Sequence, residues 1–163
     1  MSWFHELRKH KDDRGIRANL RCILVDNKKH RAWPALNRLG VPINDEVLTF
    51  IAGLFATHPE ETSIGNFGTT CKAIELRRGE KTGDDNKLTP TERRFQHLMA
   101  AEREELHSRV MRMVLMAKSQ DVPVNYEQLQ IDLKFWNDRI KTKWAAAFWA
   151  PGTVPASTTE EET

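Results

Sequence analysis

Apolar residues recur along this chain at helical spacing, and nowhere do apolar and polar residues alternate as a half-buried strand requires. The spacing predicts an all-α fold. In RGIRANLRCILVDN, Ile16, Leu20, Ile23 and Asn27 share one side of a helical wheel, and Arg14, Arg17, Arg21 and Lys28 share an adjacent side. Pro34, Gly40 and Pro42 mark AWPALNRLGVP as a turn. Asn44 or Asp45 is placed to cap the next helix, EVLTFIAGLFAT, whose Val47, Ile51, Leu54 and Phe55 form an apolar face. His58-Pro59 ends it. The stretch ETSIGNFGTTCKAIELRRG opens as a loop around Gly65 and Gly68 and closes as a short helix.

The second half is punctuated more sharply. Thr89-Pro90-Thr91-Glu92 combines a cap, a proline at the first helical position and a glutamate closing a capping box. The helix it starts is expected to reach about Ser119, burying Phe95, Met99, Leu106, Val110, Met113 and Ala117. VPVN then breaks the chain. Asn125 and Gln128 repeat the capping-box pattern, with Val124 and Leu129 at the spacing of a hydrophobic staple, and that helix is expected to run to Pro151. The expected organisation is an N-terminal helical lobe over 1–78, a linker over 79–89, a C-terminal helical bundle over 90–150 and a disordered acidic tail over 151–163.

Charge and chemistry narrow the function. The formal net charge is +2, but residues 1–40 hold ten Lys and Arg against four Asp and Glu, a basic stretch able to attract polyanions. No run of about 18 apolar residues is present to span a membrane, and an N-terminus charged from its sixth residue is unlike a secretory signal. Cys22 and Cys71 stand alone, the usage of reduced thiols in a cytoplasmic protein. HExxH and a Gly-x-Ser-x-Gly elbow are both missing, and GEKT at 79–82 lacks the glycine of a phosphate loop. The six histidines are scattered without carboxylate or cysteine at ligand spacing. An enzyme, a metal or a cofactor is therefore not expected.

Two segments point to binding. LKFWNDRIKTKWAAAFW, residues 133–149, carries five large aromatic rings beside four Lys and Arg. On one continuous helix Trp136 and Trp144 belong to an apolar stripe and are expected in the core. Phe135 and Trp149 fall on the far side, where the neighbour is the first lobe, a partner subunit or a nucleotide. Arg139 and Lys143 flank the stripe on one shoulder, Lys134 and Lys141 on the other. In the preceding helix Arg94 and Arg112 project along one edge, roughly 27 Å apart if the helix is unbroken. Such a pair suits separated phosphates, unless Glu102 and Glu105 neutralise the edge through pairs such as Glu105–Arg109.

The order ANLRCIL, AWPALNRLG, FATHP, NFG, LTPTERRFQHLMAAEREEL and VPVNYEQLQIDLKFWNDRIKTKWAAAFW resembles CasB, the small subunit of the type I-E CRISPR surveillance complex, Cascade. The resemblance covers about residues 10–150. It implies an all-helical protein of two lobes without catalytic activity, packed against a second copy of itself and against the backbone subunits and the large, PAM-reading subunit. It also implies that basic faces support the guide RNA–target DNA heteroduplex and the displaced strand, base pairing reading the sequence. The matching basic positions are Arg21, Arg94, Arg103, Arg112 and Arg139. Arg17 shares the face of Arg21 and compensates for Cys22, where many members have a second arginine. With Lys141 and Lys143 these are the candidate nucleic-acid contacts. The alternative is a helical adaptor whose arginines and exposed rings meet only protein.

Overall fold

The structure, a computed structural model, describes residues 2–81 and 87–151, so residues 82–86 of the expected linker and all but Pro151 of the expected tail lie outside the described residues. The chain is all-α. Its helices are α1 (Ser2–Lys9), α2 (Arg14–Arg21), α3 (Trp33–Leu39), α4 (Glu46–Thr57), α5 (Phe67–Arg77), α6 (Pro90–Met99), α7 (Arg103–Ser119), α8 (Tyr126–Lys134) and α9 (Asp138–Phe148). Two 3-10 segments, Cys22–Leu24 and Asp26–Ala32, join α2 to α3. Among the described residues the nearest approach to a sheet is one isolated bridge, Glu61 to Val124.

Side-chain caps set most of the helix starts. Asp13, Asp45, Asn125 and Asn137 each accept the backbone N–H three residues on, at 3.0–3.1 Å. Asn66 and Thr69 make a reciprocal capping box on α5, and Thr89 and Glu92 make one on α6. At Asn125 the box is half formed, because the Gln128 amide turns forward and donates to Asp132 Oδ1 at 2.9 Å.

Four expected boundaries change. The helix from Arg14 stops at Arg21 and tightens into 3-10 turns. AWPALNRLG holds a helix: Pro34 sits in the first turn of α3, where its missing N–H is not needed, and Gly40 ends it at φ 79°. The helix from Pro90 breaks after Met99, and α7 runs back alongside α6 with Arg109 Nη1 donating to the His97 carbonyl at 2.6 Å. The final helix breaks at Phe135–Asn137, where Asn137 takes an extended backbone and caps α9. Trp136 is consequently half-buried, its ring packed edge-on at 4.8 Å from that of Trp144, which is fully buried. The α1 helix, carrying buried Trp3, Phe4 and Leu7, is an addition to the elements expected from periodicity.

Buried residues on both sides of segment 79–89 form one continuous cluster, from Leu20, Ile51 and Phe55 to Phe95, Val110 and Trp144. Tyr126 joins α8 to the end of α4 by donating its hydroxyl to the His58 carbonyl at 2.6 Å. Buried Asp132 accepts the Trp144 indole N–H at 2.8 Å, so that ring is held at its polar edge as well as by packing. Cys71 is fully buried, and burial pushes its thiol far above the ordinary range, which leaves it unreactive. Between α4 and α7, the rings of Phe50 and His107 lie flat on each other at 4.2 Å and 4°.

This packing can be tested at two points. A Cβ on Gly68 would stand 2.0 Å from the Trp144 carbonyl oxygen, so α5 and α9 meet backbone to backbone. Alanine would favour an isolated helix by ~1 kcal/mol, yet Gly68→Ala is expected to destabilise the protein by roughly 1–3 kcal/mol through forced separation. A urea midpoint equal to or above wild type would refute that contact. The second point is His107. Burial holds its imidazole below the ordinary value near 6.5; Glu46 opposes this, and the charges of Arg103 and Lys29 add to it. The folded state therefore binds the proton less well than the unfolded chain, and the His107 contribution is full above that ordinary value and lost as pH falls through the lower folded one. The stability difference between wild type and His107→Gln should shrink on acidification below neutrality; a constant difference would refute the assignment.

Candidate nucleic-acid interface

The break at Ala100–Glu102 decides the geometry of the basic residues. An unbroken helix would hold Arg94 and Arg112 far apart, whereas the fold-back brings both to one concavity of about 530 Å³ between α6 and α7. Arg78 from the end of α5, Arg93 and Arg109 complete its arginine lining. Those three are tied down. Arg93 donates to the Leu88 carbonyl at 2.8 Å, and Arg109 to the His97 carbonyl and to Glu105 at 2.8 Å. Arg78 pairs with Glu80. Burial raises the Glu80 carboxyl, but the Thr91 N–H, the Arg78 guanidinium and the Thr91 and Thr89 hydroxyls outweigh it and hold the group ionised below its ordinary value.

Arg94 and Arg112 are different. Both are exposed, and among the described residues neither has a hydrogen bond or ion pair within the chain. The Glu105–Arg109 pair does form, and it leaves Arg94 and Arg112 untouched. Five guanidinium groups thus face one cleft, and the carboxylates paired with them among the described residues are those of Glu80 and Glu105. Sequence reasoning missed Arg78, Arg93 and Arg109 as cleft residues. The doublet at 93–94 is a local signal for Arg93; nothing local shows that Arg78 reaches the site.

The other candidates lie elsewhere. Arg17 Nε donates to the Ala56 carbonyl at 2.9 Å, and Arg21 reaches the same oxygen at 3.5 Å. Both therefore serve the carbonyl end of α4, where a cation is favoured by the helix dipole. Arg103 is exposed on the His107 side of α7, roughly 120–180° around the helix from Arg109 and Arg112. Arg139 and Lys143 stand one turn apart and exposed on α9, and Lys141 is half-buried on the same helix. The candidates therefore occupy separate surfaces, with Arg94 and Arg112 brought together.

The two outlying rings also separate. Trp149 meets its own fold: its indole N–H donates to Glu92 Oε2 at 2.8 Å, and its ring stands edge-on to Phe95 at 5.3 Å. Phe135 stays 61% exposed, with the Lys134 ammonium 5.8 Å from its ring centroid. Among the described residues no group of three or more His, Cys, Asp or Glu is placed to hold a metal ion, and no helix is long and apolar enough to cross a membrane.

Solved structures share this fold. Over 91% of the chain and 96% of the other, the fold matches CasB from Thermus thermophilus at 16% identity and a TM-score of 0.68. A second structure from Thermus thermophilus, a CRISPR-associated protein of the Cse2 family, matches over 92% and 99% at 16% identity and a TM-score of 0.70. CasB from M. ruber matches over 81% and 77% at 24% identity and a TM-score of 0.55. No curated protein matches the chain. The family model of the CRISPR-associated protein Cse2 matches residues 16–149, nearly the whole helical body, and the chain belongs to the Cse2 family.

Proposed function

We propose that this Cse2-family chain is the non-catalytic small subunit of a type I-E CRISPR surveillance complex, and that its arginine cleft grips sugar-phosphate during target capture. The observation that carries the reading is the contrast within the cleft. Three arginines are fixed by internal partners, while Arg94 and Arg112 stand beside them with their donors unused. Two uncommitted guanidinium groups in a field already made positive by their neighbours form an anion site. Contacts of this kind position a nucleic acid without reading its bases, which suits a complex whose guide RNA does the reading. In that setting the partners are the guide–target heteroduplex, the displaced strand, the backbone subunits, the large PAM-reading subunit and a second copy of the chain. Arg103, Arg139, Lys141 and Lys143 would add contacts from other surfaces, and Arg17 and Arg21 would do so only by leaving the Ala56 carbonyl. The adaptor alternative keeps one supporting observation, the exposed ring of Phe135.

The test uses a guide-loaded complex assembled without this chain, titrated with labelled target duplex alone, with wild type, and with Arg94→Glu/Arg112→Glu. Wild type should tighten target binding, and the double variant, still folded and docked, should lose that gain. The slope of log K against log salt should fall in magnitude by roughly 1.4–1.8, two phosphates at about 0.7 each on a single strand or 0.9 each on a duplex. Equal target affinity with docked wild type and docked variant would sink the clamp and leave the adaptor.

A further inference from the structure

The chain leaves the helical body against α6, the helix that walls the cleft. Trp149 closes α9, its indole N–H donating to Glu92 Oε2 at 2.8 Å and its ring standing edge-on to Phe95 at 5.3 Å, so the backbone departing through Pro151 starts from α6. Glu92 and Phe95 lie on the side of α6 opposite Pro90, Arg94 and His97, which line the cleft. Between the two sides runs the exposed edge of α6 at Arg93 and Gln96. Past Pro151 the sequence continues GTVPASTTEEET, with no Lys or Arg and with Glu160, Glu161 and Glu162 in a row. A helix with its side chains is about 10–12 Å thick, so the way around half of α6 is roughly 16–19 Å. The nine residues from Gly152 to Glu160 extend to about 30 Å at most. The three carboxylates are therefore within reach of the cleft, whereas a charge at residues 152–154, about 10 Å from Pro151 at most, is not.

We infer that Glu160, Glu161 and Glu162 fold back around α6 onto Arg94 and Arg112, so that the chain's own acidic segment holds the cleft until nucleic acid displaces it. The contact stands on charge and reach; its effect on target capture rests on the phosphate-clamp reading. Charge selects the cleft over the other basic surfaces. Among the described residues Arg94 and Arg112 keep their donors unused, beside three more guanidinium groups and the paired carboxylates of Glu80 and Glu105. Arg17 and Arg21 are engaged by the Ala56 carbonyl. Arg139 and Lys143, one turn apart on α9, offer two cations where the cleft offers five. Tethering supplies the rest, because a segment on a short linker meets its site at an effective concentration in the millimolar range. Each exposed carboxylate–guanidinium pair is weak, so a strand that brings more charge displaces the segment. Stray anions meet an occupied cleft, whereas a strand positioned by the assembled complex competes at a high local concentration of its own.

The experiment uses the full chain in three forms. They are wild type, Glu160→Gln/Glu161→Gln/Glu162→Gln, and that triple variant with Gly152→Glu/Thr153→Glu/Val154→Glu added, which restores the net charge close to Pro151 and out of reach of the cleft. Melting midpoints serve as the folding control. Contact is read by NMR from a nitroxide on Thr163→Cys in a Cys22→Ser background, Cys71 being fully buried. The label should broaden the backbone amides of Arg94, His97 and Arg112, and Arg94→Glu/Arg112→Glu should remove that broadening. Competition is read in the guide-loaded complex with labelled target duplex. There the triple variant should bind target roughly threefold to tenfold tighter than wild type at low salt, with the advantage shrinking as salt rises. The relocated-charge variant should match the triple variant. Broadening absent from the cleft, or centred on Arg139 and Lys143, would overturn the docking, and if Arg94→Glu/Arg112→Glu still weakened target binding the clamp would stand without it. Equal target affinity for wild type and triple variant would overturn the competition. So would a relocated-charge variant as weak as wild type, because the effect would then belong to net charge. Docking seen while target affinity ignored Arg94→Glu/Arg112→Glu would sink the clamp, and the competition with it.

Discussion

The architecture depends on a close approach that a side chain would forbid. At Gly68 the backbone of α5 meets the Trp144 carbonyl of α9, and this contact lets the Trp144 ring lie 5.3 Å from Phe67 within one core. Because α5 ends at Arg77, its placement also fixes where Arg78 and Glu80 emerge. Glu80 then accepts the Thr91 N–H and hydroxyl, both at 2.9 Å, and so ties the end of α5 to the start of α6. One backbone contact and one carboxylate thus link α9, α5 and α6, and the last of these lines the arginine cleft. Separation of α5 from α9 would move Arg78 as well as uncover the core.

The features legible in the sequence are those whose decisive interactions are local. Caps reach three residues ahead, so Asp45 and Thr89 announce the starts of α4 and α6. The break between α6 and α7 is marked more weakly: Glu102 and Glu105 cap α7, the Glu102 N–H donating to Glu105 Oε1 at 3.4 Å, but glutamate is also a good helix former. LMAAEREE is a run of good helix formers, yet α6 ends inside it, because the turn lets α7 return and satisfy the His97 carbonyl through Arg109. The break at Phe135–Asn137 does carry a signal, since asparagine competes with the helix for its own backbone and caps the next one. A wheel drawn through either break misplaces the residues beyond it, which is why Trp136 is less buried than its stripe implies. For the cleft, the error has the opposite result. A continuous helix would pair Arg94 and Arg112 along one edge, and the fold makes them neighbours by a different route, across two helices.

Counting basic residues would also misjudge the surface. Arg17 and Arg21 lie in the most basic stretch of the sequence, yet their guanidinium groups serve the Ala56 carbonyl. Arg93 and Arg109 are likewise bonded inside the fold, but their partners hold them at the cleft instead of drawing them from it. An internal bond therefore has two opposite meanings for a cation. It removes the charge from use when it points away from the ligand surface, and preorganises it when the surface is on the same side. Composition cannot tell these apart, since the difference lies in the direction of the bonded group.

The two sides of α7 divide the chemistry further. Toward α6 the helix presents Arg109 and Arg112, whose guanidinium groups face the cleft. Toward α4 it presents His107, stacked on Phe50 and kept from protonation by burial with Arg103 and Lys29 nearby. Salt acts on the cleft through its guanidinium charges, and acid acts on the joint through His107. Salt screens the guanidinium charges of the cleft, whereas the α4–α7 joint is held by a ring stack. Acid places an unfavourable proton in the joint. A loss of binding with rising salt at constant stability therefore reports on phosphate contact, whereas a loss on acidification that tracks unfolding reports on the joint, and the two can be read separately in the same molecule.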